Sequence, residues 1–74
     1  MDIWQVYAGR RTGWVDYPYA VSACLCRMRQ QGPQQMPVVL NDTRYILDVQ
    51  AMTQDNPATD QPPRAIRVRP RDGQ

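Results

Sequence analysis

The sequence predicts an α+β fold, a twisted and mostly antiparallel sheet of about five to six strands curled as a half-barrel around a single helix. Two observations carry this. Short runs rich in β-formers alternate with turn residues along most of the chain, and a single stretch has the periodicity of an amphipathic helix. The chain has 74 residues, which is room for one small core, and no linker long enough to divide it. Residues 1–70 are therefore expected to form one domain, and residues 71–74 a flexible tail.

Ile3-Trp4-Gln5-Val6-Tyr7 reads as the first strand, Gly9 to Gly13 as a turn, and Trp14-Val15-Asp16-Tyr17 as the returning strand of a hairpin. Pro18 suits the first turn of a helix. Val21, Cys24, Leu25 and Met28 then fall at i, i+3, i+4 and i+7, the spacing of one buried stripe. Arg27 and Arg29 favour the C-terminal end of the helix dipole, and Gly32-Pro33 stops the helix near Gln31. Met36 to Leu40 and Arg44 to Val49 flank Asn41-Asp42-Thr43, a second hairpin. Ala51 to Gln54 is expected as a short turn, Asp55 to Pro63 as a polar loop, and Arg64 to Arg69 as a last alternating strand.

Composition narrows the chemistry. All nine basic residues are Arg and all seven acids are Asp, with no His, Lys, Glu or Phe. Without His the commonest general base and metal ligand is missing, and without Lys no Schiff base can form, so catalysis is not expected. An all-Arg set suits bidentate recognition of phosphate, although codon usage alone can produce it. Cys24 and Cys26 are expected to be free thiols, because two residues apart on a helix they cannot bridge, and Cys-x-Cys alone falls short of a zinc site. No cofactor and no metal are expected.

Charge is uneven: residues 1–31 carry +2, 41–60 carry −3 and 64–74 carry +3, which lacks the density of a nucleic-acid patch. Neither sequence-specific nucleic acid nor a membrane is an expected partner. The first residues lack the basic and apolar regions of a signal peptide, and no apolar run approaches a bilayer span, so an intracellular location, cytoplasmic or nuclear, is expected.

Trp4, Gly13-Trp14-Val15-Asp16-Tyr17 and Val21-Ser22-Ala23 resemble the N-terminal half of a WWE domain. Tyr45 to Gln54 resembles the family's tyrosine, aspartate and Met-x-Gln strand, and Arg64-Ala65-Ile66-Arg67 its closing strand. The similarity runs from Ile3 to Arg69. Three departures stand out: the loop between Trp4 and Trp14 is about two residues longer than the usual family spacing, which leaves Val6 and Tyr7 as alternatives for the first-strand position, and two residues differ. Cys26 replaces the family's glutamate at a helix position about 140° from the apolar stripe, which is expected to face outward. Val15 stands where some binders carry a second tryptophan.

The resemblance implies a non-catalytic binding module that recognises poly(ADP-ribose) through its internal iso-ADP-ribose unit or a related ADP-ribose ligand. ADP-ribosylated proteins would then be its partners, in the setting of a ubiquitin ligase or an ADP-ribosyltransferase. The alternative it leaves open is a ubiquitin-ligase interaction scaffold without nucleotide binding. Tyr45, Gln54 and Arg64 are implied as ligand contacts, Arg67 occupies the next basic position, Arg11 is a rim candidate, and Tyr7 or Val6 is the first-strand contact.

The residues themselves bear on these roles. Arg64 alternates with Ile66 and Val68, so its guanidinium should approach the inner side of the sheet, where it needs an anion: a ligand phosphate, a salt bridge to Asp48, Asp55 or Asp60, or solvent. Tyr45 alternates with Leu47 and Val49 and is either packing or a stacking surface. Trp4 and Trp14 read as core or sheet-packing residues.

Overall fold

The computed structural model describes residues 1–70; the tail expected at 71–74 lies outside the described residues. In chain order the elements are β1 (Trp4–Tyr7), β2 (Trp14–Asp16), α1 (Tyr19–Gln31), β3 (Gln35–Leu40), β4 (Thr43–Asp48), β5 (Thr53–Asp55) and β6 (Arg64–Val68). The six strands form one antiparallel sheet in the order β2-β1-β6-β5-β4-β3. It curls as a half-barrel with the single helix against it, so the fold is α+β.

The pairing of β1 with β6 joins the two ends of the described chain at the middle of the sheet. Trp4 lies opposite Val68 and Val6 opposite Ile66, each pair on the inner face. The β1–β2 hairpin extends the sheet on one side and the β3–β4–β5 meander on the other. Asn41 and Asp42 both adopt positive φ, 51° and 61°, the conformation a two-residue hairpin turn demands and these two side chains tolerate. The helix ends at Gly32, whose φ of 80° disfavours a side chain and whose N–H closes on the Met28 carbonyl at 2.7 Å.

The core consists of Trp4, Tyr17, Leu25, Met28, Leu47 and Ile66. In β1, β4 and β6 alternation sends one set of side chains into this core and the other outward. The outer set between β2, β1 and β6 is bound by its own network. Tyr7 meets Trp14 edge-on with ring centroids 5.4 Å apart, and the Arg67 guanidinium lies 4.2 Å from the centre of the Trp14 ring. Gln5 accepts from Arg67 Nε at 2.9 Å and donates to Asp16, which also pairs with Arg69 at 2.9 Å.

Three expectations are corrected. The buried helix residues are Ser22, Leu25 and Met28, with Val21 and Cys26 packed beside them, so the stripe is rotated away from Cys24. Ser22 can be fully buried because its Oγ accepts the Trp4 backbone N–H at 2.9 Å, satisfying a donor that would otherwise be stranded. Cys26 faces inward rather than out. Its sulfur accepts from the Trp4 indole N–H at 3.4 Å and donates to the Asp2 carbonyl.

The third correction is β5. Residues 51–54 do not simply turn: Met52, at φ 57°, reverses the chain, and Thr53 to Asp55 then pair with both β4 and β6. Asp48 drives the reversal. One carboxylate oxygen accepts the N–H groups of Ala51 and Gln50 at 2.8 and 2.9 Å and the other accepts from Gln35. The Ala51 N–H above all, with Gln35 and Gln50, holds this carboxyl below its usual range against the opposing effect of burial.

Candidate functional site

Leu47, Gln54 and Arg64 lie opposite one another across β4, β5 and β6, which places Gln54 and Arg64 in one inward-facing row. Tyr45, two residues before Leu47, joins the same face. These three side chains line one cavity of about 110 Å³, closed on the far side by Asn56, Thr59, Gln61 and Pro62 of the β5–β6 loop. Asn56 shapes that loop by accepting the Ala58 N–H on its side chain and the Thr59 N–H on its carbonyl.

Two further cavities share walls with the first. Tyr45 and Gln54 also bound a space of about 350 Å³ that runs between the sheet edges along Val6, Val15, Tyr17 and Leu40. On the other side, Gln61, Pro62 and Arg64 bound a shallower groove of about 470 Å³ that reaches Tyr7 and Ala65. The space of about 350 Å³ alone is within the roughly 300 to 1,000 Å³ of small-ligand sites.

The central cavity carries a cation and no acid. Its lining holds Arg64 but no carboxylate. Among the described residues the resolved ion pair is Arg69–Asp16, so none of Asp48, Asp55 and Asp60 neutralises Arg64. Asp48 is committed to the β4–β5 turn. Arg64 donates once, from Nη1 to the Tyr7 carbonyl at 3.3 Å, which leaves most of its donor fork open to solvent.

Gln54 is the buried polar group of the site. It is 7% exposed, and its Oε1 accepts the Tyr17 hydroxyl proton at 2.7 Å. Burial, and secondarily the nearby Tyr45, push the Tyr17 phenol well above its usual pKa, so it keeps its proton across the physiological range.

The structure thus brings Tyr45, Gln54 and Arg64 together, whereas Tyr7 lies on the outer face against Trp14 and reaches only the shallower groove beyond Arg64. Val6 lines the space on the other side. Arg67 stands apart: with β6 alternation it lies on the outer face, stacked on Trp14 and bonded to Gln5. Arg11 is exposed in the β1–β2 turn and lines none of these three cavities. Asn56, Thr59, Gln61 and Tyr17 are the wall residues that sequence reasoning did not single out. The Asn56-Pro57 pair, a turn signal, was the available hint for the loop.

Among the described residues no group of three or more Cys and Asp side chains could hold a metal ion, and no helix is long and apolar enough to cross a membrane. What the site offers is hydrogen-bond donors, an aromatic ring and an unpaired guanidinium. A half-barrel of this size with such a recess is a small binding domain. The WWE domain family model matches residues 3–68, nearly the whole chain, and the chain belongs to that family. WWE domains are binding modules. No curated protein sequence matches the chain.

Proposed function

We propose that this chain is a non-catalytic reader of poly(ADP-ribose), taking the internal iso-ADP-ribose unit or a related ADP-ribose ligand in the cavity of Tyr45, Gln54 and Arg64. The observation that carries the reading is the convergence of those three side chains, from three neighbouring strands, on one recess that holds a cation and no carboxylate. Such a recess suits an anion with an attached ring. A phosphate would meet the open guanidinium with charge-assisted hydrogen bonds, and the Tyr45 ring would flank a base or sugar. The adjoining inner cavity, which shares Tyr45 and Gln54, gives the rest of a dinucleotide-sized ligand somewhere to lie. In this reading the module couples ADP-ribosylation inside the cell to an activity held elsewhere, ubiquitination or ADP-ribosyl transfer, and catalyses nothing itself.

One observation favours a second reading, a protein-interaction scaffold without nucleotide affinity. Val15 is 40% exposed on the wall of the larger inner cavity, where it supplies no ring to cover a ligand. Titration calorimetry with iso-ADP-ribose, ADP-ribose, AMP and a short single-stranded DNA separates the two. Saturable heat with the ADP-ribose ligands and none with DNA supports the reader; no heat at millimolar ligand supports the scaffold.

A further inference from the structure

The floor of the cavity is a hydrogen bond between two buried side chains. Tyr17 is 5% exposed and Gln54 7%, and they meet at 2.7 Å. Tyr17 is fixed from both ends: its ring belongs to the core cluster, and its backbone N–H donates to the Trp4 carbonyl at 2.9 Å. The direction of this hydrogen bond decides what Gln54 presents to the cavity.

A carboxamide oxygen only accepts and a carboxamide nitrogen only donates. Among the described residues the Tyr17 hydroxyl has no second hydrogen bond, so its proton has one acceptor, Gln54 Oε1. Were the carboxamide reversed, the phenol proton would have no protein acceptor, a costly arrangement for a side chain only 5% exposed. The oxygen therefore points to Tyr17 and the NH₂ points away. No buried side-chain nitrogen or oxygen is left unsatisfied among the described residues, and Gln54 Nε2 has no protein acceptor there, so this NH₂ opens onto the cavity that Gln54 lines.

We propose that Tyr17 is a positioning and specificity residue: by holding Gln54 Oε1 toward itself it turns the Gln54 NH₂, a donor, toward the cavity. The site then selects a ligand atom that accepts a hydrogen bond at that point, a phosphate oxygen or an unprotonated ring nitrogen, and disfavours an N–H. A freely rotating glutamine would accept either. The high pKa of the buried phenol keeps the arrangement intact at any pH at which the domain works. The inference rests on the ADP-ribose reading for its ligand but not for its geometry.

A double-mutant cycle tests it, with iso-ADP-ribose as the probe. Tyr17→Phe, which removes the hydroxyl and keeps the ring, is expected to weaken binding between about threefold and tenfold, the range of one hydrogen bond. In a Gln54→Ala background the same change is expected to cost nothing further. Equal weakening in both backgrounds would mean that Tyr17 acts through packing, and the proposal falls. An iso-ADP-ribose analogue with hypoxanthine for adenine narrows the choice of acceptor. Weaker binding that Tyr17→Phe partly restores marks adenine N1, the ring nitrogen that hypoxanthine protonates; unchanged binding marks an acceptor that both bases leave open, a phosphate oxygen or another ring nitrogen.

If the wild-type protein binds no iso-ADP-ribose, the functional reading fails and the geometry is decided separately by NMR of the free wild-type protein. Nuclear Overhauser contacts from the Gln54 carboxamide protons to Tyr45 or Arg64 are the expected result. Contacts from those protons to the Tyr17 ring alone would overturn this orientation.

Discussion

Arg64→Ala is the perturbation whose consequence follows most directly from the structure. Arg64 opens β6 with its side chain exposed, and its one resolved intramolecular bond is the 3.3 Å donation to the Tyr7 carbonyl. Truncation therefore leaves no cavity and no unpaired buried group, and stability should stay within about 0.5 kcal/mol of wild type. Binding is different. Hydrogen bonds to charged groups contribute about 1.5 to 3 kcal/mol, which is roughly tenfold to a hundredfold in affinity or somewhat more. Arg64→Lys keeps the charge but loses the planar fork, so its affinity should fall between wild type and alanine. Calorimetry with iso-ADP-ribose beside thermal melts of the same samples measures both quantities. Wild-type affinity in a folded Arg64→Ala variant would refute the assignment of the guanidinium to the ligand.

Four further outcomes follow from the same geometry. Arg67→Ala removes a guanidinium 4.2 Å from the Trp14 ring centre on the outer face. It should lower stability by about 0.5 to 1 kcal/mol in chemical denaturation while leaving iso-ADP-ribose affinity near wild type, the reverse of Arg64→Ala. Tyr45→Ala should weaken binding by about 1 to 3 kcal/mol if the ring stacks on a base, as calorimetry would show. Leu47 is fully buried, so Leu47→Ala should cost about 2 to 5 kcal/mol of stability, read from urea midpoints. The pH profile of stability should fall at both extremes. Asp48, held below its ordinary 3.8, stabilises the fold at neutral pH and loses that contribution as pH drops through its folded value. Tyr17, held above its ordinary 10.0, contributes fully below that pH and loses its contribution as the solution becomes more alkaline. Asp48→Asn and Tyr17→Phe should each flatten the corresponding limb in melts across pH.

Much of the fold is legible because it depends on local chemistry. Pro18, Gly32 and the Asn41-Asp42 pair punctuate the chain through their own backbone preferences, and the structure turns where they stand. Alternation about Ile66 places Arg64 on the inner side of β6, in the row with Gln54 and Leu47. The same rule separates Arg64 from Arg67, since an odd spacing on a strand sends two guanidiniums to opposite faces. The family resemblance groups them, but the backbone does not.

What local chemistry hides is whatever a distant partner decides. Ser22 ranks as polar on any hydropathy scale, and its burial depends on the N–H of Trp4, eighteen positions away. Cys26 turns inward because an indole N–H and the Asp2 carbonyl await its sulfur. Strand β5 is three residues long and exists because β4 and β6 flank it, so no periodicity could announce it. The Tyr17–Gln54 bond joins residues 37 positions apart, and the loop wall of Asn56, Thr59 and Gln61 forms through closure of the β5–β6 connection.

Mapping amide and side-chain chemical shifts of the isotope-labelled protein during titration with iso-ADP-ribose tests the central claim most directly. Saturable shifts concentrated on Tyr45, Gln54 and Arg64 and on the Asn56–Gln61 loop, with the Trp14 and Arg67 side chains unmoved, are the predicted result. Shifts centred on the Trp14–Arg67 face, or no shifts at saturating ligand, would contradict it.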